Sequence, residues 1–271
     1  MDVVALARQF APPTAIVLCW LWESLVPARL PKASRTRQNA LHIAIGLSNS
    51  LLVAMSLGIL MSAVGAWTAA SSWGLLNQCS LPPYIRWPLV LLILDGCTYL
   101  WHFANHRSAW LWRFHRAHHS DRHLSATTAV RFHAGEIALS AAAKTALVPI
   151  LGLRLEELAI YETLLAASTA FHHANISLGR WDRLLRLAIV TPAMHKLHHS
   201  IDPRETHSNF ASILSLWDRC GGTFLGPKSM DPLEFGVEGL TGPDFQTFVG
   251  IWSTPVCRSP KLPNAKCAER S

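Results

Sequence analysis

Residues 102–119 read HFANHRSAWLWRFHRAHH and carry five histidines, two spaced as HxxxH and three as HxxHH. On an α-helix, positions i and i+4 lie about 40° apart on one face, and position i+3 flanks that face. Helical folding of each half would therefore aim its imidazoles in one direction. Because a metal site needs convergent imidazoles, the stretch predicts both helix and metal binding.

Further histidines repeat the pattern later in the chain. All 14 histidines except His42 fall between His102 and His207, and two more groups are FHHAN at 171–175 and HKLHH at 195–199. A single HxxxH is often only a helix face. Two HxxHH groups 80 positions apart, each near an apolar run, are hard to explain as core or surface histidines.

The HKLHH group has its own helix signals. Thr191 can cap a helix, Pro192 suits its first position, and Asp202-Pro203 is predicted to end the segment. We therefore expect a short helix that carries the three histidines of this group.

One ion takes about four to six ligands, so the eight or nine grouped imidazoles predict two ions. Imidazole binds zinc, copper, iron and nickel alike, so the residue types alone do not identify the metal.

Polar partners for these imidazoles are predicted nearby, since a metal-bound imidazole usually donates its second N–H to a carboxylate or carbonyl. Asp95 is the most informative, because it lies seven residues before His102 on the same helical face, in an otherwise apolar run. For His123, His133 and His207 a solvated or supporting position is expected, and for His42 an interfacial one. The supporting candidates are Asp95, Asp121, His133, Glu136, His172, Asp202, Asn209 and Asp218.

Composition places the chain in a membrane. Of its 271 residues 50% are hydrophobic and only 15% charged, with a mean hydropathy of +0.23, whereas soluble domains carry roughly 25% charged residues. The net charge of +7 comes from bases interleaved with histidines beside apolar runs, which favours membrane orientation and not nucleic-acid binding. Six scattered cysteines without a CxxC pair indicate neither disulfides nor a thiolate site.

The apolar runs predict an all-α, polytopic membrane bundle of about four to five segments with a cytosolic, histidine-rich cap that holds two metals. The surest span is Ala40 to Ala66; the others are Pro13 to Val26, Trp87 to Leu100, Ile137 to Leu153 and Leu158 to Thr169. The loop before the surest span is predicted to lie in the cytoplasm, because it contains the bases Arg29, Lys32, Arg35 and Arg37. The uncharged residues 67–85 are predicted to lie outside. This topology brings the histidine groups together at the cytoplasmic face.

The chain resembles the fatty acid hydroxylase superfamily, also called the sterol desaturase family, in its bacterial branch. The matching stretches are DGCTYLWHFANH (95–106), LWRFHRAHHSD (111–121), RFHAGE (131–136), FHHANI (171–176), PAMHKLHHS (192–200) and residues 209–224, which end in LWDRCGGTF. The resemblance suggests three regions: N-terminal membrane segments (1–85), a di-iron catalytic domain (86–225) and a cytosolic tail (226–271). It also implies a bacterial inner-membrane location.

The resemblance implies a cytosolic di-iron centre that uses dioxygen to hydroxylate or desaturate sterols, fatty acids or related lipids. His173 aligns with the family histidine of its group, and His172 is its neighbour. Ala134 replaces a usual proline and Cys220-Gly221 a usual Leu-Phe, but no ligand position is lost. The implied ligands are His102, His106, His115, His118, His119, His173, His195, His198 and His199.

Electrons have to come from a partner, because the chain has no dinucleotide-binding glycine motif and no P-loop. A ferredoxin, a cytochrome, a reductase or a reduced pterin is implied. The basic residues that could steer an acidic donor or anionic lipids, or simply anchor the membrane face, are Arg107, Arg113, Arg116, Arg122 and Arg183.

Three other functions remain open at this stage. An ether-lipid monooxygenase would use the same ligands, because hydroxylation beside an ether oxygen breaks the ether. A metal transporter would space its histidines along several spans, whereas these cluster at one face. A haem-binding cytochrome would need only one or two histidines per haem.

Overall fold

The part of the chain that the structure describes is mostly helical. A computed structural model describes residues 3–30, 35–227 and 233–257, with side chains from residue 10 onward. Within these ranges no strand forms, and only two isolated β-bridges occur. The predicted all-α class is confirmed, while Lys32 and residues 228–232 and 258–271 of the predicted tail lie outside the described residues.

Five long helices and one of eleven residues make up the bundle. They are α1 (Val3–Leu25), α2 (Arg35–Ser71), α3 (Pro83–Arg107), α4 (Ala109–His119), α5 (Ala134–Leu151) and α6 (Leu155–His173). Five short helices follow: α7 (Asp182–Leu185), α8 (Pro192–His198), α9 (Pro203–Thr206), α10 (Leu216–Cys220) and α11 (Phe248–Ser253). In the bundle α1 packs on α6, α2 packs on α5, and α3 packs on both α4 and α6.

Three helices of the described chain are long and apolar enough to cross a membrane. They are α2 with its continuation to Asn77, α3 and α5. The predicted span from Ala40 to Ala66 lies inside α2, which continues to Ser71. One face of α2 leaves large apolar side chains uncovered by protein, as hydrocarbon contact requires: Leu47, Leu51, Met55 and Ile59, which are 61–74% exposed. The number of segments that cross the membrane stays a prediction.

A buried ion pair joins three helices at the end of the bundle remote from the histidines. Arg86 near the start of α3 donates to Glu157 Oε1 of α6 at 2.5 Å, and also to the carbonyl of Gly152 at 2.8 Å. Gly152 ends α5 in the left-handed conformation, with φ of 73°, which glycine adopts without strain. Removing one partner of such a pair leaves a buried charge and typically costs about 3–5 kcal/mol.

The other end of the bundle carries the short helix α8. Its predicted start is confirmed, because Thr191 Oγ1 accepts a hydrogen bond from the Met194 N–H at 3.4 Å and Pro192 is the first helical residue. The predicted end is wrong in detail. The helix stops at His198, and Asp202-Pro203 begins α9, because the extended Asp202 backbone lets its carboxylate accept from the Arg204 N–H.

Candidate metal centre

Nine histidines from α3, α4, α6 and α8 converge at this end of the bundle. They form two groups, and within each group one ring nitrogen per residue lies within 4.8 Å of those of all the other members. Cluster A consists of His102, His106, His115, His119 and His198, and cluster B of His118, His173, His195 and His199. These are the nine residues that the family resemblance implied as ligands.

The two HxxHH motifs contribute to both clusters. In α4 the outer pair, His115 and His119, lies in cluster A, whereas the third histidine of that motif, His118, lies in cluster B. In α8 the arrangement is reversed, so that the outer pair belongs to cluster B and His198 belongs to cluster A. Each helix therefore presents i and i+4 imidazoles to one cluster and its i+3 imidazole to the other.

Hydrogen bonds at Nδ1 fix the tautomer of five of the nine rings. A backbone carbonyl or carboxylate has no proton to give, so each of these Nδ1 atoms carries the hydrogen and leaves a lone pair on Nε2. The five contacts are His102 with Phe210 O at 2.8 Å, His115 with Glu136 Oε1 at 2.7 Å, His118 with Arg131 O at 3.3 Å, His173 with Thr169 O at 2.8 Å and His198 with Ser208 O at 2.7 Å.

These lone pairs face one another at distances that a cation between them would stabilise. His102 Nε2 lies 2.9 Å from His198 Nε2 and 3.1 Å from His115 Nε2. In cluster B, His118 Nε2 lies 3.0 Å from His173 Nε2. Two acceptors at this distance repel unless a positive ion binds both, so the donor set fits a metal ion in each cluster.

The donors of each cluster are close enough to share one ion. Eight pairs of Nε2 atoms lie 2.9–3.2 Å apart, and all the donors of a cluster lie within 4.8 Å of one another. One ion in each cluster could therefore be bound by several imidazoles at once.

Burial favours the neutral form of several of these imidazoles. Eight of the nine are at most 2% exposed, and His102 is half-buried at a cavity wall. Desolvation, followed by the influence of neighbouring histidines, lowers the pKa of His118, His119, His198 and His199 well below the ordinary value of 6.5. Neutral imidazole is the form that binds metal, so the protein environment prepares these rings as ligands.

Asp218 supports cluster A indirectly. Its carboxylate accepts from the backbone N–H of Phe210 at 2.7 Å and of Ala211 at 3.1 Å, and Phe210 in turn offers its carbonyl to His102 Nδ1. Asn209, with φ of 53°, donates to Met194 O at 3.1 Å and so ties the same segment to α8. The predicted candidates Asp218 and Asn209 thus position the segment that orients His102.

The other predicted carboxylates differ in their contacts. Glu136 bonds directly to His115, as described above. Asp95, although it shares the helix of His102, accepts from Leu214 N at 3.0 Å and Trp217 Nε1 at 2.9 Å, and so anchors the segment before α10. Asp202 pairs with Arg204 at the surface.

Asp121 belongs to a buried network beside the clusters. It accepts from Thr128 Oγ1 at 2.6 Å and lies 3.6 Å from His42 Nε2. His42 was expected at the membrane interface, but it is 1% exposed and its Nδ1 lies 3.1 Å from Thr127 Oγ1. The interfacial expectation for His42 is wrong, because the chain after α4 folds back over this part of α2.

The remaining histidines lie around the clusters. His133 caps α5 by accepting from Gly135 N at 2.8 Å, and its Nε2 lies 3.1 Å from Trp252 O. His172 stacks on His195 with ring centroids 3.9 Å apart, and His207 meets His106 edge-on at 5.6 Å. His123 is half-buried beside Asp121, to which its N–H donates at 3.2 Å. None of these four belongs to either cluster.

One predicted surface base lies inside the protein. Arg116 is 5% exposed and donates to the carbonyls of Thr254 and Cys257, so it holds the segment after α11 and is not part of a basic surface. The period of the helix explains the difference, because Arg116 lies four residues after the buried Trp112 on the inner side of α4. The other four bases, Arg107, Arg113, Arg122 and Arg183, are exposed.

A large apolar cavity opens onto the histidines. It measures about 1030 Å³ and lies between α2, α3, α5 and α6. His102 and His115 of cluster A and His118, His173 and His195 of cluster B line its end. The wall also contains Lys144 and Glu162, which the sequence reasoning missed; the signal was a lysine in the middle of the apolar run 137–153.

The model of the family described as "Fatty acid hydroxylase" matches residues 87–223, slightly more than half of the chain, and this range includes all nine clustered histidines. The chain belongs to the fatty acid hydroxylase family. Iron is the metal associated with this family, and the resemblance seen in the sequence is confirmed. The match extends from α3 to the end of α10, so it covers α3 to α6 and the short helices that complete the clusters.

Several curated relatives match this member of the fatty acid hydroxylase family. Ornithine lipid hydroxylase OlsE of Rhizobium tropici is 27% identical over 166 residues, which is 59% of the chain and 50% of that protein. Alkylglycerol monooxygenase of Danio rerio is 31% identical over 65% of the chain and 37% of that protein. Cholesterol 25-hydroxylase-like protein 2 of Danio rerio is 31% identical over 51% of each. The chain thus spans about half, or less, of these relatives' lengths, and no solved structure matches it.

Proposed function

We propose that the protein is a membrane-bound di-iron oxygenase that uses dioxygen and external electrons to hydroxylate or desaturate a lipid. One observation carries the proposal. Two histidine clusters, whose Nε2 lone pairs face one another across 2.9–3.2 Å, open onto an apolar cavity of about 1030 Å³ inside a membrane bundle. A metal site that reaches lipid through an apolar cavity suits oxidation of an unactivated C–H bond.

In this proposal clusters A and B each hold one iron. Cluster A would supply up to five imidazoles and cluster B up to four, and dioxygen chemistry would need at least one further position that the protein does not fill. When bound, the irons supply the dioxygen activation and the one-electron chemistry that no side chain can provide.

The protein's own residues orient and isolate the centre. Glu136 and the Phe210 carbonyl fix the ring positions of His115 and His102, the two cluster A residues at the cavity wall. The packed rings keep bulk water from the lone pairs. Apolar side chains along α2, α3, α5 and α6 would hold an alkyl chain or sterol against the histidine end of the cavity.

The substrate class follows from the cavity and from the relatives. Their names refer to an ornithine lipid, an alkylglycerol and cholesterol, all of them amphiphiles with a long apolar part. Hydroxylation and desaturation share the same ligands. Ether cleavage, as the alkylglycerol relatives suggest, is the second candidate and would be recognised by an aldehyde product.

Electrons and orientation complete the proposal. A ferredoxin, cytochrome, reductase or reduced pterin would dock at the histidine end, where Arg107, Arg113, Arg122 and Arg183 are exposed. We place this end at the cytoplasmic face of a bacterial inner membrane, because the basic loop before α2 lies on the same side of the predicted topology.

Metal analysis tests the function directly. Detergent-purified chain from iron-replete cells should contain about two irons by mass spectrometry, and the His118→Ala, His198→Ala double variant should lose them. The purified wild type should then oxidise membrane lipids only with oxygen and a reductant. A wild-type preparation without stoichiometric iron, or with a single haem, would contradict the proposal and favour a transporter or a cytochrome.

A further inference from the structure

One ion pair lies in the wall of the apolar cavity. Lys144 of α5 and Glu162 of α6 both line the cavity, and Lys144 Nζ lies 2.7 Å from Glu162 Oε1. Lys144 is the eleventh of the 18 residues of α5, a helix long and apolar enough to cross a membrane. Charged side chains at this depth are costly, and proteins keep them where they bind something.

The contacts of this pair are unlike those of a structural ion pair. Arg86 and Glu157 are 6% and 0% exposed and bond to several further groups at the end of the bundle. Lys144 and Glu162 retain 23% and 41% of their side-chain surface, and within the described chain neither makes another side-chain hydrogen bond. Both charged groups thus have unused hydrogen-bonding capacity facing the cavity.

The neighbouring wall is mainly apolar. Ala143 and Leu147 flank Lys144 on α5, and Leu158 and Leu165 flank Glu162 on α6. Two hydroxyl groups also line this region, Ser140 one turn before Lys144 and Tyr161 beside Glu162, and the Tyr161 hydroxyl already donates to Thr98 Oγ1 at 2.6 Å. A ligand in this part of the cavity would therefore meet one charged donor and one charged acceptor in a mainly apolar surface. A hydroxyl group matches this combination, because it can accept from the Lys144 ammonium while it donates to the Glu162 carboxylate.

The helical rise gives the distance from this pair to the histidines. Lys144 follows Glu136, the partner of His115, by eight residues, and Glu162 precedes His173 by eleven. At about 1.5 Å per residue, the pair lies roughly 12–16 Å along the cavity from the clusters. An extended chain advances about 1.2 Å per bond, so this distance corresponds to roughly ten to thirteen bonds.

We propose that Lys144 and Glu162 form a binding site for a hydroxyl group of the lipid substrate, roughly ten to thirteen bonds from the carbon that faces the histidines. The site would select hydroxylated lipids over unsubstituted chains and fix which carbon reaches the metals. The identification of the reacting end rests on the proposed function, but the binding of a hydroxylated chain does not.

Ligand competition tests the site without turnover. Iron-loaded, full-length protein in detergent is kept under argon without an electron donor, and methyl 12-hydroxyoctadecanoate and methyl octadecanoate compete with tritiated methyl octadecanoate. The wild type should bind the hydroxylated ester about tenfold more tightly, as expected for one hydrogen bond to a charged group. In the Lys144→Met, Glu162→Gln variant the two esters should bind equally, with unchanged affinity for methyl octadecanoate.

A surface pair supplies the matched control. Arg154 and Glu156 lie 3.7 Å apart and are more than half exposed, so Arg154→Met with Glu156→Gln should retain the tenfold preference. If the cavity double variant aggregates on gel filtration, the single variant Glu162→Gln is tested in its place. Its preference for the hydroxylated ester over methyl octadecanoate should fall below about threefold. Equal binding of both esters by the wild type, or an unchanged preference in the variant that folds, would overturn the proposal.

The same samples separate this inference from the proposed function. Iron content is measured on each preparation, and a wild type that lacks iron contradicts the oxygenase without altering the ester comparison. An iron-loaded wild type with no preference for the hydroxylated ester contradicts only the hydroxyl site.

Discussion

The rings of His119 and His199 stack with centroids 4.3 Å apart and an interplanar angle of 15°, although the two residues belong to different clusters. Each is the last histidine of its HxxHH motif. The clusters therefore adjoin through packed rings and are not separated by other protein groups. Two ions bound there would form one centre, and the loss of a ligand from one cluster should be felt in the other.

Exchange of a cluster B ligand should reduce iron content. His173 supplies one of four donors, so His173→Ala should lower iron from about two to at most about one per chain, measured by mass spectrometry. His172→Phe is the matched control, because His172 is equally buried, stacks on His195 and belongs to neither cluster. Loss of iron in both variants would mean that the FHHAN group acts through packing and not through ligation.

Asp218 should matter for metal affinity although it touches no ligand. Asp218→Asn removes an acceptor from the N–H groups of Phe210 and Ala211, which lets the carbonyl facing His102 move. We expect a loss of roughly 1–3 kcal/mol in stability and about a 10–100-fold weaker iron affinity by chelator competition. Asp202→Asn, at a surface helix cap, should leave iron affinity unchanged. Equal effects of the two substitutions would contradict an action of Asp218 on His102 through the Phe210 carbonyl.

Filling the cavity should separate substrate binding from metal binding. Ala143 lines the cavity, whereas its neighbour Ala142 is exposed on the outer side of α5. Ala143→Trp should reduce lipid oxidation at least about tenfold with iron content retained, because an indole occupies the volume of an alkyl segment. Ala142→Trp should change neither. Full activity in Ala143→Trp, with oxidation and iron measured on one preparation, would show that substrate does not use this cavity.

The metal-free protein should be unusually sensitive to acid. Burial and neighbouring histidines lower the pKa of His118, His119 and His198 in the folded chain, while the unfolded chain titrates near the ordinary 6.5. Because the pKa of these histidines is lower in the folded chain, the unfolded chain binds more protons below about pH 6.5. The free energy of unfolding is therefore highest above this pH and decreases as the pH falls below it. The thermal midpoint, followed by tryptophan fluorescence, should fall steeply between about pH 7 and pH 5. A flat profile over this range would show that the rings are protonated or solvated when folded.

Much of the metal centre could be predicted from sequence because helical spacing is a local property. HxxHH fixes the relative directions of three imidazoles once the segment is helical, and Thr191-Pro192 signals where one such helix begins. Helical spacing alone does not predict that His118 lies in cluster B and His198 in cluster A, each apart from the other two histidines of its motif. This arrangement depends on how α4 and α8 face each other, which tertiary packing decides.

The supporting residues show the same limit. Asp95 lies on the helical face that the spacing indicated, yet its carboxylate accepts hydrogen bonds from Leu214 and Trp217 and not from a histidine. These two residues are more than a hundred positions away in the sequence. Lys144 could have been noticed as a base inside an apolar run, but its partner on α6 is visible only in three dimensions.

Helix α8 is seven residues long, and isolated helices shorter than about 12–15 residues are marginal in water. Three of the nine cluster histidines sit on this helix or at its C-cap, so their position depends on contacts made after the membrane helices have formed. Metal binding would therefore stabilise the docked position of α8 in addition to forming the centre. Cells short of iron should accumulate less of the protein, because chains with an undocked α8 are exposed to quality-control proteases.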